Sequence, residues 1–480
     1  MSGDSSDTAR DTGHEHTGHE DTGRRTVADP RLPVRAGQLL RVPALWLLPL
    51  ALGSVVVAIM SWFYIGAVVN PVSHLQGLPV ALVNEDRGAT VGSRHIDLGQ
   101  QVQAGLLGSP QVSGKLGLTV SSLPTAEQAM DSDDLYAMVV IPPDFTASLL
   151  TASGLTGAGA TVTGASAAAP AVPRAQILTS QRAGTTGVSL ATGILQPALA
   201  AASRQIGRHL AASIPTSART PATMVYLANP VTVTTAQYRP LPANAALGLS
   251  AFYIALLTMM CGFLGGTIVN SGVDAALGYS TNDIGPRFRQ RQPVPISRWR
   301  TLLIKWAIAA PVTGVLTAVM LAIAAGALGM DAPSPPLLWL FTWLCAASVG
   351  AGTIVLFAVA GTFGQLIALL LFVYAGLASA GGTVPIQALP GWLRGLANVE
   401  PLRQILAGTR SIMYFNAQSD AGLARGVLFA SIGLLCWLIL GTAVVRWYDR
   451  KRLYRIHPDT LAHVSNAVQE YRRQQAAPPQ

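Results

Sequence analysis

Long apolar runs without charge alternate with polar segments along this chain. No Asp, Glu, Lys or Arg occurs from Val42 to Ser73, or between Arg239 and Asp274. About 20 apolar residues cross the hydrocarbon core of a bilayer, so each run is long enough for a transmembrane helix. The longest charge-free stretch, Ala332–Leu393, is too long for one crossing, and Gly361–Gly364 is its weakest helical point. We therefore predict that it folds back there into two helices.

This pattern predicts a multi-spanning α-helical membrane protein with six transmembrane helices, one before and five after a large α/β domain. The predicted helices are 42–69, 244–270, 305–330, 335–360, 362–381 and 425–446. The segments between them are a disordered tail (1–41), the α/β domain (70–243), a basic loop (271–304), an amphipathic or re-entrant segment (382–424) and a second tail (447–480).

Basic residues flanking the helices predict the orientation. Arg and Lys concentrate in both tails and in the loop 271–304, and such residues favour the cytoplasmic side. With six crossings these three segments share one face. We therefore expect a plasma-membrane protein with both termini cytoplasmic and an extracytoplasmic domain over 70–243.

Within that domain, strands and helices alternate. Short apolar runs bounded by turn residues predict strands, and longer amphipathic runs predict helices. The predicted strands are Leu78–Val83, Tyr136–Ile141 and Ala175–Ser180, and the predicted helices are Ile96–Leu107, Asp144–Leu150 and Gly187–Ala212.

Composition agrees with a membrane protein. Charged residues make up 11% of the chain and its mean hydropathy is +0.41, whereas soluble domains usually carry about 25% charged residues. The net charge of +9 lies beside apolar runs rather than on a basic face, so it indicates topology and no nucleic-acid partner. The three cysteines all fall in apolar runs, where a thiol acts as a small hydrophobic side chain.

The chain lacks the motifs of an energy-converting or catalytic protein. Its one Gly-Lys pair, Gly114-Lys115, is followed by Leu rather than Ser or Thr, so it is not a phosphate-binding loop. We expect no enzyme activity, no catalytic or metal site and no cofactor in this chain, with ATP reaching it only through a partner subunit. Metal binding by the N-terminal His14, His16 and His19 is an alternative to a disordered tail.

Polar groups near the spans suggest packing rather than ion coupling. The apolar parts of the six spans contain no Asp, Glu, Lys, Arg or His, and Asn270 and Gln365 are their most polar side chains. We interpret these amides as hydrogen-bond donors and acceptors between helices. The acidic group Asp131, Asp133 and Asp134 is predicted to cap or follow a helix in solvent.

Three stretches, in order, resemble the membrane domains of ABC type-2 exporters of the YhgE/Pip class. Leu78–Ala89 is similar to a strand followed by an Asn-x-Asp-x-Gly element, and Val139–Leu149 to a strand followed by Pro-x-Asp-Phe-Ser. Gly382–Arg410 is similar to the segment before the last helix. The outer domain is short for that class. In this shortness it resembles the related nitrosoguanidine-resistance membrane proteins.

The resemblance implies a permease that works as a homodimer or heterodimer in the lipid bilayer with a separate ATP-binding subunit. It would export an amphipathic or hydrophobic substrate such as a lipid, a surface polymer or a toxic compound. The implied ATPase-coupling residues are Asp274, Asp283, Arg287, Arg289, Arg291 and Arg298. The implied outer re-entrant segment carries Pro385, Pro390, Trp392, Arg394 and Pro401.

Two other readings of the sequence stay open. The charges of the loop 271–304 are explained equally well by topology alone. The whole chain also resembles accessory membrane proteins of type VII secretion, which would make it a non-transporting scaffold that acts through its outer domain.

Overall fold

The computed structural model describes most of the chain after residue 42. The described residues are 43–91, 94–153, 173–213, 220–280, 282–284, 287–289, 291, 293–453, 466–467 and 469–470. The predicted tail 1–41 with its three histidines, and most of the predicted tail 447–480, lie outside them. The chain divides into two compact units, Met1–Ala58 and Ile59–Gln480. The described residues of the first unit all belong to one apolar helix.

Fifteen α-helices are delimited in the described residues, besides shorter 3₁₀ and π-helical segments. They are α1 Pro43–Val68, α2 Pro71–His74, α3 Leu98–Leu107, α4 Leu123–Asp131, α5 Phe145–Ala152, α6 Thr185–Ser213, α7 Pro221–Ala228, α8 Ser250–Ala276, α9 Arg298–Leu321, α10 Pro335–Ala360, α11 Phe363–Ala368, α12 Ala375–Ser379, α13 Gly391–Ala397, α14 Pro401–Tyr414 and α15 Ala424–Arg450. A π-helical stretch, Leu369–Tyr374, joins α11 to α12, and others follow α9 and precede α15.

Nine strands form three sheets in the same residues. They are β1 Leu78–Asn84, β2 Ala89–Val91, β3 Arg94–Ile96, β4 Leu116–Val120, β5 Ala137–Ile141, β6 Arg174–Thr179, β7 Thr232–Gln237, β8 Asn282–Ile284 and β9 Arg287–Arg289. The main sheet has the order β4-β1-β5-β6-β7 and is parallel except where β5 meets β6. The three predicted strands are therefore confirmed at its centre, and β4 and β7 are edge strands that the pattern missed.

The Asn-x-Asp-x-Gly element after β1 holds two helix N-termini together. The Asp86 carboxylate accepts hydrogen bonds from the backbone N–H of Gly99 at 2.9 Å and of Thr146 at 3.0 Å, near the starts of α3 and α5, and from the Thr146 hydroxyl. A carboxylate at a helix N-terminus satisfies unpaired N–H groups and interacts favourably with the helix dipole. A Cβ on Gly99 would lie 2.5 Å from Asp86 Cβ, so only glycine permits this approach. The Asp of the Asn-x-Asp-x-Gly element therefore has a structural role, since it joins the starts of α3 and α5.

Five described helical segments are long and apolar enough to cross a membrane: Leu50–Val68, Ser250–Ala276, Arg298–Ala327, Pro335–Ala360 and Ser419–Arg450. The predicted fifth span appears as a shorter apolar helical segment, Phe363–Ser379, after a turn at Gly361, whose φ is +59°. The structure therefore confirms apolar helices of membrane-crossing length and a small α/β region. That Phe363–Ser379 crosses the membrane as a further span stays a prediction.

Small residues bring the central helices together. Gly262 and Gly266 of α8 lie one turn apart, and a Cβ at either would approach a backbone carbonyl of α10 within 3 Å. Close backbone approach over small residues is how helices gain contact area in lipid, where no hydrophobic driving force acts between them.

The α/β region contacts the helices at the end where α8 begins. The Ser250 hydroxyl lies 2.6 Å from the Tyr414 hydroxyl at the end of α14, and Arg182, just after β6, donates to the Tyr414 carbonyl. We call this the sheet end of the helices. The opposite end, where α8 terminates and α9 begins, is the far end.

Candidate functional site at the far end of the helices

A cavity of about 720 Å³ lies at the far end, between α8, α9, α10 and α15 and beside the turn at Gly361. Its lining mixes polar and charged side chains with apolar ones. Asn270, Asp274, Arg298, Lys305 and Gln365 are among its polar and charged lining residues.

A buried ion pair forms one wall of this cavity. Lys305 Nζ of α9 lies 2.7 Å from Asp274 Oδ1 of α8 and donates to Asn270 Oδ1 at 2.6 Å. Only 7% of the Lys305 side chain and 10% of the Asp274 side chain are exposed. A buried pair persists because its charges and hydrogen bonds compensate the desolvation of both groups. Asn270 thus joins two helices, as predicted.

The ion pair corrects one expectation from the sequence. Helix α8 continues beyond the predicted limit at 270 and so includes Asp274, and α9 begins at Arg298, well before 305. The apolar parts of the predicted spans hold no ionisable side chain, but the helices extend beyond those parts and include Asp274 and Lys305. Helices can extend past the apolar run when their charged ends find partners, and a hydropathy pattern does not reveal those partners.

Asp449, near the end of α15, anchors the start of α9. Its two carboxylate oxygens accept hydrogen bonds from the backbone N–H groups of Arg298 at 3.2 Å and Trp299 at 3.1 Å. Arg298 Nε also donates to the Leu453 carbonyl at 2.9 Å, and its guanidinium lies 5.4 Å from the Tyr448 ring centroid. A distant carboxylate therefore caps this helix and fixes it to α15.

Two of the six predicted coupling residues lie at the cavity. Asp274 and Arg298 line it, Arg291 is exposed in the loop, and Asp283, Arg287 and Arg289 lie on the β8–β9 hairpin, where Ile284 pairs with Arg287. Sequence reasoning missed Lys305 and Asp449. Asp449 is the one acidic residue between Arg446 and Arg452, and this isolated position could have indicated a specific partner for it.

The predicted outer segment is built around Arg394. Its guanidinium donates to Gln76 Oε1 and to the backbone carbonyls of His74, Gln387 and Leu389, at 3.1–3.2 Å. This ties α13 to the residues that follow α1. Of the other predicted residues, Pro385 and Pro390 precede short helical turns, Trp392 packs edge-on against Phe63 at 5.0 Å, and Pro401 begins α14.

Glu400 caps α14 and was missed by the sequence reasoning. Its carboxylate accepts from the backbone N–H of Leu402 at 2.9 Å and of Arg403 at 3.0 Å, and the residue is 2% exposed. A Cβ on Gly376 of α12 would lie 2.8 Å from Glu400 Oε1. The start of α14 is therefore held against the helical segment Phe363–Ser379.

A second charged group lies at the sheet end. Asp131 pairs with Arg182 at 3.4 Å and with Arg239 at 2.8 Å. Asp133 Oδ1 is buried, and burial raises the pKa of this carboxyl to about 6, opposed by the nearby positive charge of Arg410. The acidic group ends and follows α4, as predicted, and Asp134 is exposed. Asp131 and Asp133 are part of the packing between the α/β region and the helices, which corrects the prediction that they lie in solvent.

Comparisons with known proteins give one family and one solved structure. A domain attributed to an ABC type-2 transporter of Thermotoga maritima MSB8 is 20% identical, with a TM-score of 0.22, over 33% of this chain and 85% of that one. At that score the likeness does not assign a fold. No curated protein matches the sequence at a significant level.

The family described as "Protein of unknown function (DUF3533)" matches residues 48–437, which include the α/β region and nearly all the apolar helices. The chain therefore belongs to the DUF3533 family.

Proposed function

We propose that this chain is an ABC type-2 permease-like subunit of the plasma membrane that exports an amphipathic or hydrophobic substrate. A separate ATPase would supply the energy, and the permease would work as a dimer. In this proposal Phe363–Ser379 is the sixth span, both termini and the far end face the cytoplasm, and the α/β region lies outside.

The observation that carries the proposal is the construction of the far end. The segment between α8 and α9 is bounded on one side by Asp274, which pairs with Lys305, and on the other by Arg298, which Asp449 caps. A force applied to this segment would therefore reach α8, α9 and α15 together. A permease needs such a connection if an ATPase outside the membrane is to move its helices.

Sequence features support the same proposal. The chain carries no phosphate-binding loop of its own, so ATP hydrolysis, if it drives transport, must take place in a partner subunit. The three stretches that resemble YhgE/Pip exporters lie inside the described α/β region and the segment around α13 and α14. The segment between α8 and α9 is also the most basic internal part of the chain, which favours an acidic docking surface on the partner.

Purification of the full chain from native membranes tests this proposal. We expect an ATP-binding subunit to co-purify, with ATP turnover that rises when lipid or an amphipathic compound is added. Asp449→Ala should weaken this stimulation, because the start of α9 loses two hydrogen bonds to α15. Asp331→Ala, a change at an exposed residue next to α10, is the matched control.

The alternative, a secretion scaffold, predicts a different set of partners. Recovery of secretion components without any ATPase would refute the permease proposal.

A further inference from the structure

Two carboxylates follow α4 where the α/β region meets the helices. Asp133 and Asp134 lie in the short segment between α4 and β5, and Asp133 has a positive φ of 61°. Across from them lies Arg410 of α14, which is 8% exposed. Its Nη2 would lie 3.2 Å from a Cβ on Gly184, a few residues after β6. We call the place where Asp133 and Asp134 meet α14 the junction.

Asp133 and Arg410 both have unsatisfied polar atoms. Asp133 Oδ1 and Arg410 Nε are buried and have no hydrogen-bond partner among the described residues. Neither residue forms a salt bridge in that part of the chain, whereas the neighbouring Asp131 pairs with Arg182 and Arg239. An ionised carboxylate with an oxygen buried away from any donor is costly, and protonation removes that cost. The closed junction therefore favours a neutral Asp133.

The charges around Asp133 act in both directions. Burial raises the pKa of Asp133 from 3.8 to about 6, and it outweighs the positive charge of Arg410, which lowers it. Asp134 adds to the rise and Arg182 opposes it. Water would solvate the carboxylate if the junction opened. The closed junction is therefore most stable at low pH, and it loses this contribution as the pH rises from 3.8 to about 6.

Asp420, shortly before α15, acts in the same direction. Burial and the negative charge of Asp420 both raise the pKa of Asp134, because two neighbouring carboxylates repel when both are ionised. Acidification removes this repulsion as well. Tyr136 lies near Arg403 of α14, but burial raises the pKa of Tyr136 to about 12, so it stays neutral between pH 5 and pH 7.5.

We propose that the junction is a proton-sensitive latch: protonated Asp133 holds the α/β region against α14, and loss of the proton loosens this contact. Protons can reach the carboxyl in the closed state, because Asp133 as a residue is partly exposed although its Oδ1 is buried. The latch needs neither an ATPase nor a transported substrate, so it goes beyond the proposed function. In the orientation proposed above it responds to the pH outside the cell.

Double electron–electron resonance across the junction tests the latch. Gln128 of α4 and Gln418, shortly before α15, are exposed and line one groove between the α/β region and the helices. Cysteines at these two positions carry the spin labels in the full chain in detergent. The three native cysteines, Cys261, Cys345 and Cys436, are replaced by alanine.

We expect one short distance at pH 5 and an additional, longer distance at pH 7.5. With the ordinary pKa of 3.8 for Asp133 in the open state, the ratio of open to closed chains rises about tenfold between these two pH values. An identical distance distribution at both pH values would overturn the proposal.

Three variants assign the response to the junction. Asp133→Asn should keep mainly the short distance at pH 7.5, because its side chain cannot ionise and Asn accepts the positive φ. Asp420→Asn, at an exposed residue, should lose part of the response. Asp331→Asn is the control, because Asp331 is exposed and its charge does not act on Asp133 or Asp134.

A full pH response in Asp133→Asn would overturn the proposal. So would a response that is lost in the Asp331→Asn control, since it would then not come from the junction. If Asp133→Asn does not fold, Asp420→Asn decides the assignment, and an undiminished response in that variant would contradict the latch.

Discussion

Arg182 donates a hydrogen bond from Nη1 to the backbone carbonyl of Tyr414 at 3.0 Å, and these residues are 232 positions apart in sequence. The guanidinium also lies 4.8 Å from the Phe415 ring centroid and pairs with Asp131. One side chain thus joins the α/β region to the sheet end of α14. Movement of that region would reach the same segment that carries Glu400 and Gln404.

Removal of this connection should destabilise the protein. Arg182→Ala leaves a partly buried Asp131 with Arg239 and the Tyr238 hydroxyl as its partners, and a buried carbonyl without its donor. We expect the free energy of unfolding to fall by about 3 kcal/mol, measured by denaturant titration in detergent. Arg174→Ala, at the exposed first residue of β6, is the control and should change it little. An equal loss of unfolding free energy in Arg182→Ala and Arg174→Ala would contradict the stabilising role given to Arg182.

The burial of Asp133 predicts that stability depends on pH. Burial raises its pKa from 3.8 to about 6, where Asp134 adds to the rise while Arg410 and Arg182 oppose it. The folded state then binds more protons than the unfolded state between these two values, so the free energy of unfolding falls as pH rises through that window and levels off above it.

Asp133→Asn should remove this part of the pH dependence. Asn tolerates the positive φ of 61° at this position, and we expect a stabilisation of about 1–3 kcal/mol above pH 6. Thermal unfolding at pH 5 and pH 7.5 measures it, with the exposed Asp331→Asn as control. A variant that is no more stable than the unmodified chain at pH 7.5 would contradict the prediction.

Asp86 should matter more than an ordinary helix cap. Asp86→Ala removes the acceptor of two backbone N–H groups and one hydroxyl, so we expect a loss of about 2–4 kcal/mol. Asp97→Ala removes one cap bond, from Gln100 N–H, and should cost about 1 kcal/mol. Denaturant titration of both variants compares them, and a larger effect at Asp97 would show that the Asp86 contacts are not stabilising.

The far-end ion pair should be strongly coupled. Lys305→Met removes the ammonium that pairs with the buried Asp274 carboxylate, and we expect a loss of about 3 kcal/mol. The double variant with Asp274→Leu should lose less than the sum of the two single variants, because both charges of the pair are then removed. A double-mutant cycle measures this difference, and additive losses would show that the two residues do not stabilise each other.

Orientation can be tested by cysteine labelling in intact cells. Cysteine placed at the exposed Gln111, between α3 and β4, should react with a membrane-impermeant reagent. Cysteine placed at the exposed Arg291 should react only after the membrane is opened. The unmodified chain corrects for its own three cysteines. The reverse pattern would place the α/β region inside the cell.

The apolar runs located the long helices because crossing length and side-chain polarity are local properties of a segment. The central strands β1 and β5 were predicted for the same reason, since buried strands are apolar along their length. Strand β7, Thr-Val-Thr-Thr-Ala-Gln, was missed because an edge strand with one exposed face lacks that pattern.

The sequence by itself therefore determined which segments are apolar helices, where the α/β region lies and which residue types are available. The tertiary structure alone decided their partners: Asp86 with α3 and α5, Asp449 with α9, and Lys305 with Asp274. Hydrogen bonds and ion pairs act over about 3 Å in space, and the residues that form these are far apart in the chain. Only folding brings them within that distance.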